Sequence, residues 1–143
     1  MTIVLNHTVI PAWKHEESAK VFADILGVPY NGPSGHFAPV RVNDELSIDF
    51  DTEGPSTARN MQNPEPVPHH HLAFLVGDDE FEGILDRVTE HGFKFGSGPG
   101  TTEDMKINER NGGRNLYWFD DDGHNWEMLT VSYARQRQPA ATA

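Results

Sequence analysis

The sequence predicts an α+β fold made of two similar halves, each a strand, then a helix, then several strands. Three observations carry this. His7 on a strand is followed twenty residues later by a helix-ending Gly27, and His71 on a strand is followed twenty-one later by a helix-ending Gly92. Late in each half an acid stands between apolar residues, as Ile48-Asp49-Phe50 and as Trp126-Glu127-Met128. A proline-rich segment separates the two. Internal repetition of this kind marks stacked or two-fold-related units.

Residues 3–10 have the aliphatic and β-branched content of a strand, and Pro11 stops its ladder. Alternation places Leu5, His7 and Val9 on one face, with Val4, Asn6, Thr8 and Ile10 on the other. Over 16–26 the apolar Val21, Phe22, Ile25 and Leu26 fall at helical spacing, and Gly27 supplies a left-handed cap. Strands are expected at 37–42 and 46–50; in the second, Leu46, Ile48 and Phe50 alternate with Ser47, Asp49 and Asp51. The segment 54–68 contains Gly54, Pro55, Pro64, Pro66 and Pro68 among polar residues and reads as an extended linker.

The second half opens with PVPHHHLAFLVGDD and a strand at about 70–76. A helix over 79–91 follows, with Asp79 and Glu82 as a capping box, an apolar stripe of Phe81, Ile84, Leu85 and Val88, and Gly92 as its cap. Residues 94–113 are glycine-rich, polar and long for a connection, which is typical of a lid. Strands at 116–119 and 126–131 then form a hairpin around Asp120-Asp121-Asp122-Gly123. The organisation is one domain over 1–132, with module one at 1–53, the linker at 54–68, module two at 69–132 and a flexible tail at 133–143.

Composition narrows the function. The chain has 143 residues, enough for one core, and a formal charge of −11. A negative surface repels phosphate backbones and anionic lipid, so neither nucleic acid nor a membrane is an expected partner; a small-molecule substrate is. With no cysteine, thiolate catalysis and disulfides are excluded. The longest apolar run, Leu72 to Val76, is far below the ~20 residues a membrane span needs. The start lacks a basic leader pattern, so a cytoplasmic protein is expected.

The chain resembles the vicinal oxygen chelate superfamily of glyoxalases, bleomycin-resistance proteins and extradiol dioxygenases. The resemblance rests on LNHTVIPA with SAKVFADILG, on HHLAFLVGDD and on NLYWFDDDGHNWEML, and spans nearly the whole chain. It implies two βαβββ modules forming a cup-shaped mixed sheet, often completed by a homodimer, around a divalent metal. It carries the ligand role onto His7, His71 and Glu127. Two imidazoles and a carboxylate suit Fe²⁺, with Zn²⁺, Mn²⁺, Ni²⁺ or Co²⁺ also able to fit.

Other residues are candidates for catalysis or substrate contact. Asp49 is the first-half counterpart of Glu127, either a further ligand, a base or an exposed strand acid. Tyr117 and His70 are acid–base candidates. The cup wall is expected from Val9, Trp13, Ala73 and Leu75, and an anionic substrate group could meet Lys106, Arg110 and Arg114, which otherwise are solvated loop charges. His124 reads as a turn residue. The resemblance implies bidentate chelation of a small oxygenated molecule, dioxygenase-like if three ligands suffice and a redox metal is used, isomerase- or lyase-like if Asp49 serves as base. Drug binding without catalysis is the third alternative.

Overall fold

The computed structural model describes residues 3–52 and 67–136. Most of the expected linker, together with the tail beyond residue 136, lies outside the described residues. The order is β1 (His7–Pro11), α1 (His15–Leu26), β2 (Phe37–Arg41), β3 (Ser47–Asp51), β4 (His71–Leu75), α2 (Asp78–Glu90), a short 3-10 turn at Arg110–Gly112, β5 (Asn115–Phe119), β6 (Asn125–Leu129) and α3 (Tyr133–Gln136). The result is an α+β fold of two matched halves.

The halves have the same topology. β1, β3 and β2 form one sheet and β4, β6 and β5 a second, with the first strand of each half parallel to the last and the last two antiparallel. Among the described residues each sheet holds three strands, and the two sheets neither join nor close. The long 94–113 segment is tethered along β5 instead of adding a strand: Gly96 bridges Tyr117 and Asn108 bridges Asn115. Gly96 is required there, because a Cβ would lie 1.7 Å from the Thr101 carbonyl oxygen.

Alternation decides what is buried. Ile10, Ile48, Phe50, Ala38 and Val40 of the first sheet and Leu116, Trp118, Trp126 and Met128 of the second enter one core with Phe22, Ile25, Phe81, Ile84 and Val88 of the helices. Phe22 touches both sheets, its ring centroid 5.6 Å from Phe50 and 4.5 Å from Trp126. The sheets therefore turn the same kind of face toward a shared centre. Their opposite faces, with His7 and Val9 on one and His71 and Ala73 on the other, look away from each other.

α1 ends as expected at Gly27, whose φ of 76° is the left-handed cap. α2 starts differently. Its N-cap is Gly77 with no side-chain bond, and Glu82 pairs with Arg114 instead of closing a capping box with Asp79. Gly83, inside α2, leaves room for Arg87: a Cβ there would come within 2.9 Å of the guanidinium, which reaches over to α1 and donates from Nε to the Ile25 carbonyl at 2.8 Å. Arg87→Ala should cost about 1–3 kcal/mol by orphaning that carbonyl. Gly83→Ala should add about 1 kcal/mol of stability only in the Arg87→Ala background, where the space is free. Chemical denaturation of the four proteins of the cycle checks both; additive effects would contradict the steric account.

The aspartate-rich turn is more than a hairpin tip. Asp122 accepts from the Trp13 N–H and the Ser18 hydroxyl, both at 2.8 Å, at the start of α1. Asp120 accepts the N–H groups of Asp122 and His124 and the Trp126 indole N–H. His124 is fully buried; Nδ1 accepts from the His70 N–H at 3.0 Å and Nε2 donates to the Pro11 carbonyl at 2.5 Å. Those partners fix the orientation of its ring. His124 is thus the rivet between the modules.

Candidate functional site

The outward face of the second sheet carries the chemistry. Pairing sets His71 and Phe119 on either side of Asn125, and in the next row Ala73 and Tyr117 on either side of Glu127. Glu127 is only 3% exposed, so its charge is removed from water and requires compensation. Asn115 donates from Nδ2 to Oε1 at 2.8 Å, and the Tyr133 hydroxyl lies 3.5 Å from the same oxygen. The Tyr117 hydroxyl also bonds Glu127; burial first, then this bond, pushes its pKa far above the ordinary phenol value. All three partners are neutral. They orient the carboxylate and leave its charge in place.

His71 approaches the other oxygen. Its Nδ1 lies 3.0 Å from the Asn125 carbonyl, which can only accept, so Nδ1 carries the proton. In the neutral ring that leaves the Nε2 lone pair 3.1 Å from Glu127 Oε2. Two lone pairs at that distance repel unless a cation lies between them, either a proton or a metal ion. The His71 side chain is 47% exposed, so the ring is reachable from solvent. An imidazole nitrogen and a carboxylate, each oriented by a hydrogen bond on its far side, fit a divalent first-row cation.

His7 is not brought to this pair within one chain. It is exposed on β1, its Nδ1 2.8 Å from Asn6 Oδ1. Both sheets back onto the shared core, so its face points away from that of His71. Among the described residues no group of three His, Cys, Asp or Glu side chains is placed to hold a metal. Asp49 lies across from Val9 as Glu127 lies across from Ala73, so the internal symmetry extends to the register. It accepts from the Ser47 hydroxyl at 2.5 Å.

Several expected site residues are used elsewhere. His70 alternates to the face opposite His71, with its ring 5.5 Å from that of His124; burial, then His124, lowers its pKa. It is therefore a neutral neighbour of the rivet and does not face Glu127. Arg114 pairs with Asp78 and Glu82 and lies over the Phe81 ring at 4.4 Å, so it braces α2 instead of facing a ligand. Trp13 sits at the module junction and lines a cavity of about 310 Å³ on the core side with Phe22, Trp118 and Trp126. Lys106 and Arg110 are exposed on the tethered loop. Val9 is half-buried, and Ala73 and Leu75 are exposed on their outward faces.

Three residues of the site were not anticipated: Asn115, Asn125 and Tyr133. The run Asn115-Leu116-Tyr117 alternates, so Asn115 was legible as a face-mate of Tyr117. Tyr133 was not, because its place depends on the chain turning back over β5 and β6. It begins α3 and bonds Asn115 at 2.9 Å, so the residues after 132 start ordered.

No helix among the described residues is long and apolar enough to cross a membrane. The chain is 39% identical to "Oxidase ChaP-H1" over 92% of its own length and 98% of that chain, with a TM-score of 0.79. It is 36% identical to "Oxidase ChaP-H2" over 93% and 97%, also at 0.79. The fosfomycin resistance protein FosX from Mesorhizobium loti shares the fold at 18% identity, a TM-score of 0.63 and coverage of 96% and 100%. No curated protein sequence matches the chain. The profile of the Glyoxalase/Bleomycin resistance protein/Dioxygenase superfamily matches residues 4–128, and with two matched α+β halves meeting in one core the chain belongs to that superfamily.

Proposed function

We propose that the protein is a metal-dependent, dioxygenase-like enzyme acting on a small molecule that chelates through two neighbouring oxygens. The observation that carries this reading is the lone-pair opposition of His71 Nε2 and Glu127 Oε2, which calls for a cation. His71 and Glu127 of one chain and His7 of a second copy would hold a divalent ion, Fe²⁺ by preference. Bound there, the ion supplies Lewis acidity and, if iron, one-electron chemistry. The likeness to two chains named oxidases favours the oxidative branch over the isomerase one.

The chain's own residues do the rest. Asn115, Tyr117 and Tyr133 fix the carboxylate, and the Asn125 carbonyl fixes the tautomer and ring plane of His71. A homodimer is supported by two edge strands with uncovered apolar residues: Ile3, Val4 and Leu5 lead into β1, and Leu75 lies on β4.

The test is complementation. His7→Ala and Glu127→Ala chains, each inactive alone, are co-refolded; a site shared between copies regenerates one intact centre per mixed dimer, about one quarter of all sites. Metal content and oxygen uptake with a catechol panel read the outcome. No recovery refutes the shared site. Metal bound with turnover of a hemithioacetal and no oxygen uptake, abolished in Asp49→Asn, would select the isomerase branch. Ligand binding undiminished by metal removal would select sequestration.

A further inference from the structure

Among the described residues two buried side-chain polar atoms have no hydrogen-bond partner: the Tyr30 hydroxyl, on the connection after α1, and Asn125 Oδ1. The second lies in the candidate site. Asn125 is nine-tenths buried, alternates onto the same face as Glu127, and its main-chain carbonyl is the one that orients His71. Its amide nitrogen faces the Pro99 carbonyl at 3.4 Å. A carbonyl can only accept, so the nitrogen belongs at that end and the free end is an oxygen. A buried acceptor left unpaired is destabilising, so its retention calls for a donor. Beside it Glu127 Oε1 and His71 Nδ1 have their hydrogen-bond partners, and Glu127 Oε2 and His71 Nε2 face the proposed ion; the Asn125 oxygen is left wanting a donor.

We infer that Asn125 is a specificity-determining residue whose side-chain oxygen accepts a hydrogen bond from a hydroxyl of the substrate other than the two chelating oxygens. The substrate class is a polyhydroxylated aromatic. Phe119, directly across from Asn125 on β5 and 43% exposed, offers the flat apolar surface beside that acceptor. Access requires the turn carrying Pro99 to lift. Its bond to Asn125, at 3.4 Å, is at the weak end of the range. This inference rests on the metal-chelation reading, and the experiment separates the two.

Pyrogallol and 3-methoxycatechol both chelate through adjacent oxygens, and only pyrogallol carries a third hydroxyl donor. Calorimetric titration into Zn²⁺-loaded dimer without oxygen measures binding apart from turnover. Wild type is expected to prefer pyrogallol by about 10-fold, which is about 1.4 kcal/mol, the strength of one hydrogen bond. Asn125→Leu should reduce the preference to within about 2-fold. Asn125→Ala repeats the measurement should the leucine variant not fold. Equal affinities in wild type, or a preference retained in the variant, overturn the role of Asn125. Failure of both probes to bind metal-loaded wild type overturns the chelation reading itself, and this inference with it.

Discussion

Alanine at Glu127, or at His71, should lower the affinity for Zn²⁺ or Fe²⁺ by more than about 100-fold, beyond the range expected for residues that merely orient a ligand. Each loss removes one of the two groups whose lone pairs oppose each other at 3.1 Å. Asn115→Leu frees one carboxylate oxygen from its 2.8 Å restraint and should cost about 10–100-fold. His70→Ala, one residue from a ligand but on the other face, should leave affinity near wild type. Competition against a fluorescent chelator ranks the four. Metal retained in the Glu127 variant, or lost equally in the His70 variant, would refute the site. Glu127→Ala also strands the Asn115 amide, so its melting temperature is recorded alongside.

Trp126→Ala should be the most destabilising single truncation, about 3–5 kcal/mol for removal of a buried indole. At about 3 °C per kcal/mol for a chain of this size, the midpoint should fall by roughly 10–15 °C. The ring touches Phe22, Phe50 and Phe74, which come from α1 and both sheets, so its loss opens the core where the modules meet. Its N–H also answers the half-buried Asp120 carboxylate at 2.9 Å. Trp126→Phe retains most of the packing and should cost only the unmade hydrogen bond, about 1–3 kcal/mol. Thermal denaturation that barely distinguishes Trp126→Ala from wild type would mean that the modules are held by something other than this junction.

The legible part of the fold was periodic. β2, β3 and β4 alternate in burial, whereas β5 and β6 are buried on both faces because the site side covers Tyr117 and Glu127 as the core covers Trp118 and Trp126. β3 and β6 present Asp49 and Glu127 at equivalent register positions as the repeat implied. Strand ends were read less well. The first strand begins at His7, opposite the first residue of β3: the Asn6 carbonyl still accepts from the Ser47 N–H at 2.9 Å, and the aliphatic residues 3–5 precede that point. Glu82 matched a capping pattern, yet the stronger partner was Arg114, the cation just before β5. In the same way Arg114 read as a cation for an anionic substrate group or a solvated loop charge, and the fold instead brings it beside the first turn of α2.

Local order in the chain determined which residues are strand or helix, which face each side chain takes, and that one acid in each half would be placed alike, because alternation and helical spacing are properties of neighbours along the backbone. Only the tertiary structure decided that both sheets bury the same kind of face in one core, so that His7 and His71 point apart within a chain. It also decided that Asn115 and Tyr133 hold Glu127, and that His124 rivets the halves together. Those outcomes depend on contacts between residues far apart in sequence, where packing and the satisfaction of buried polar groups, not periodicity, select the arrangement.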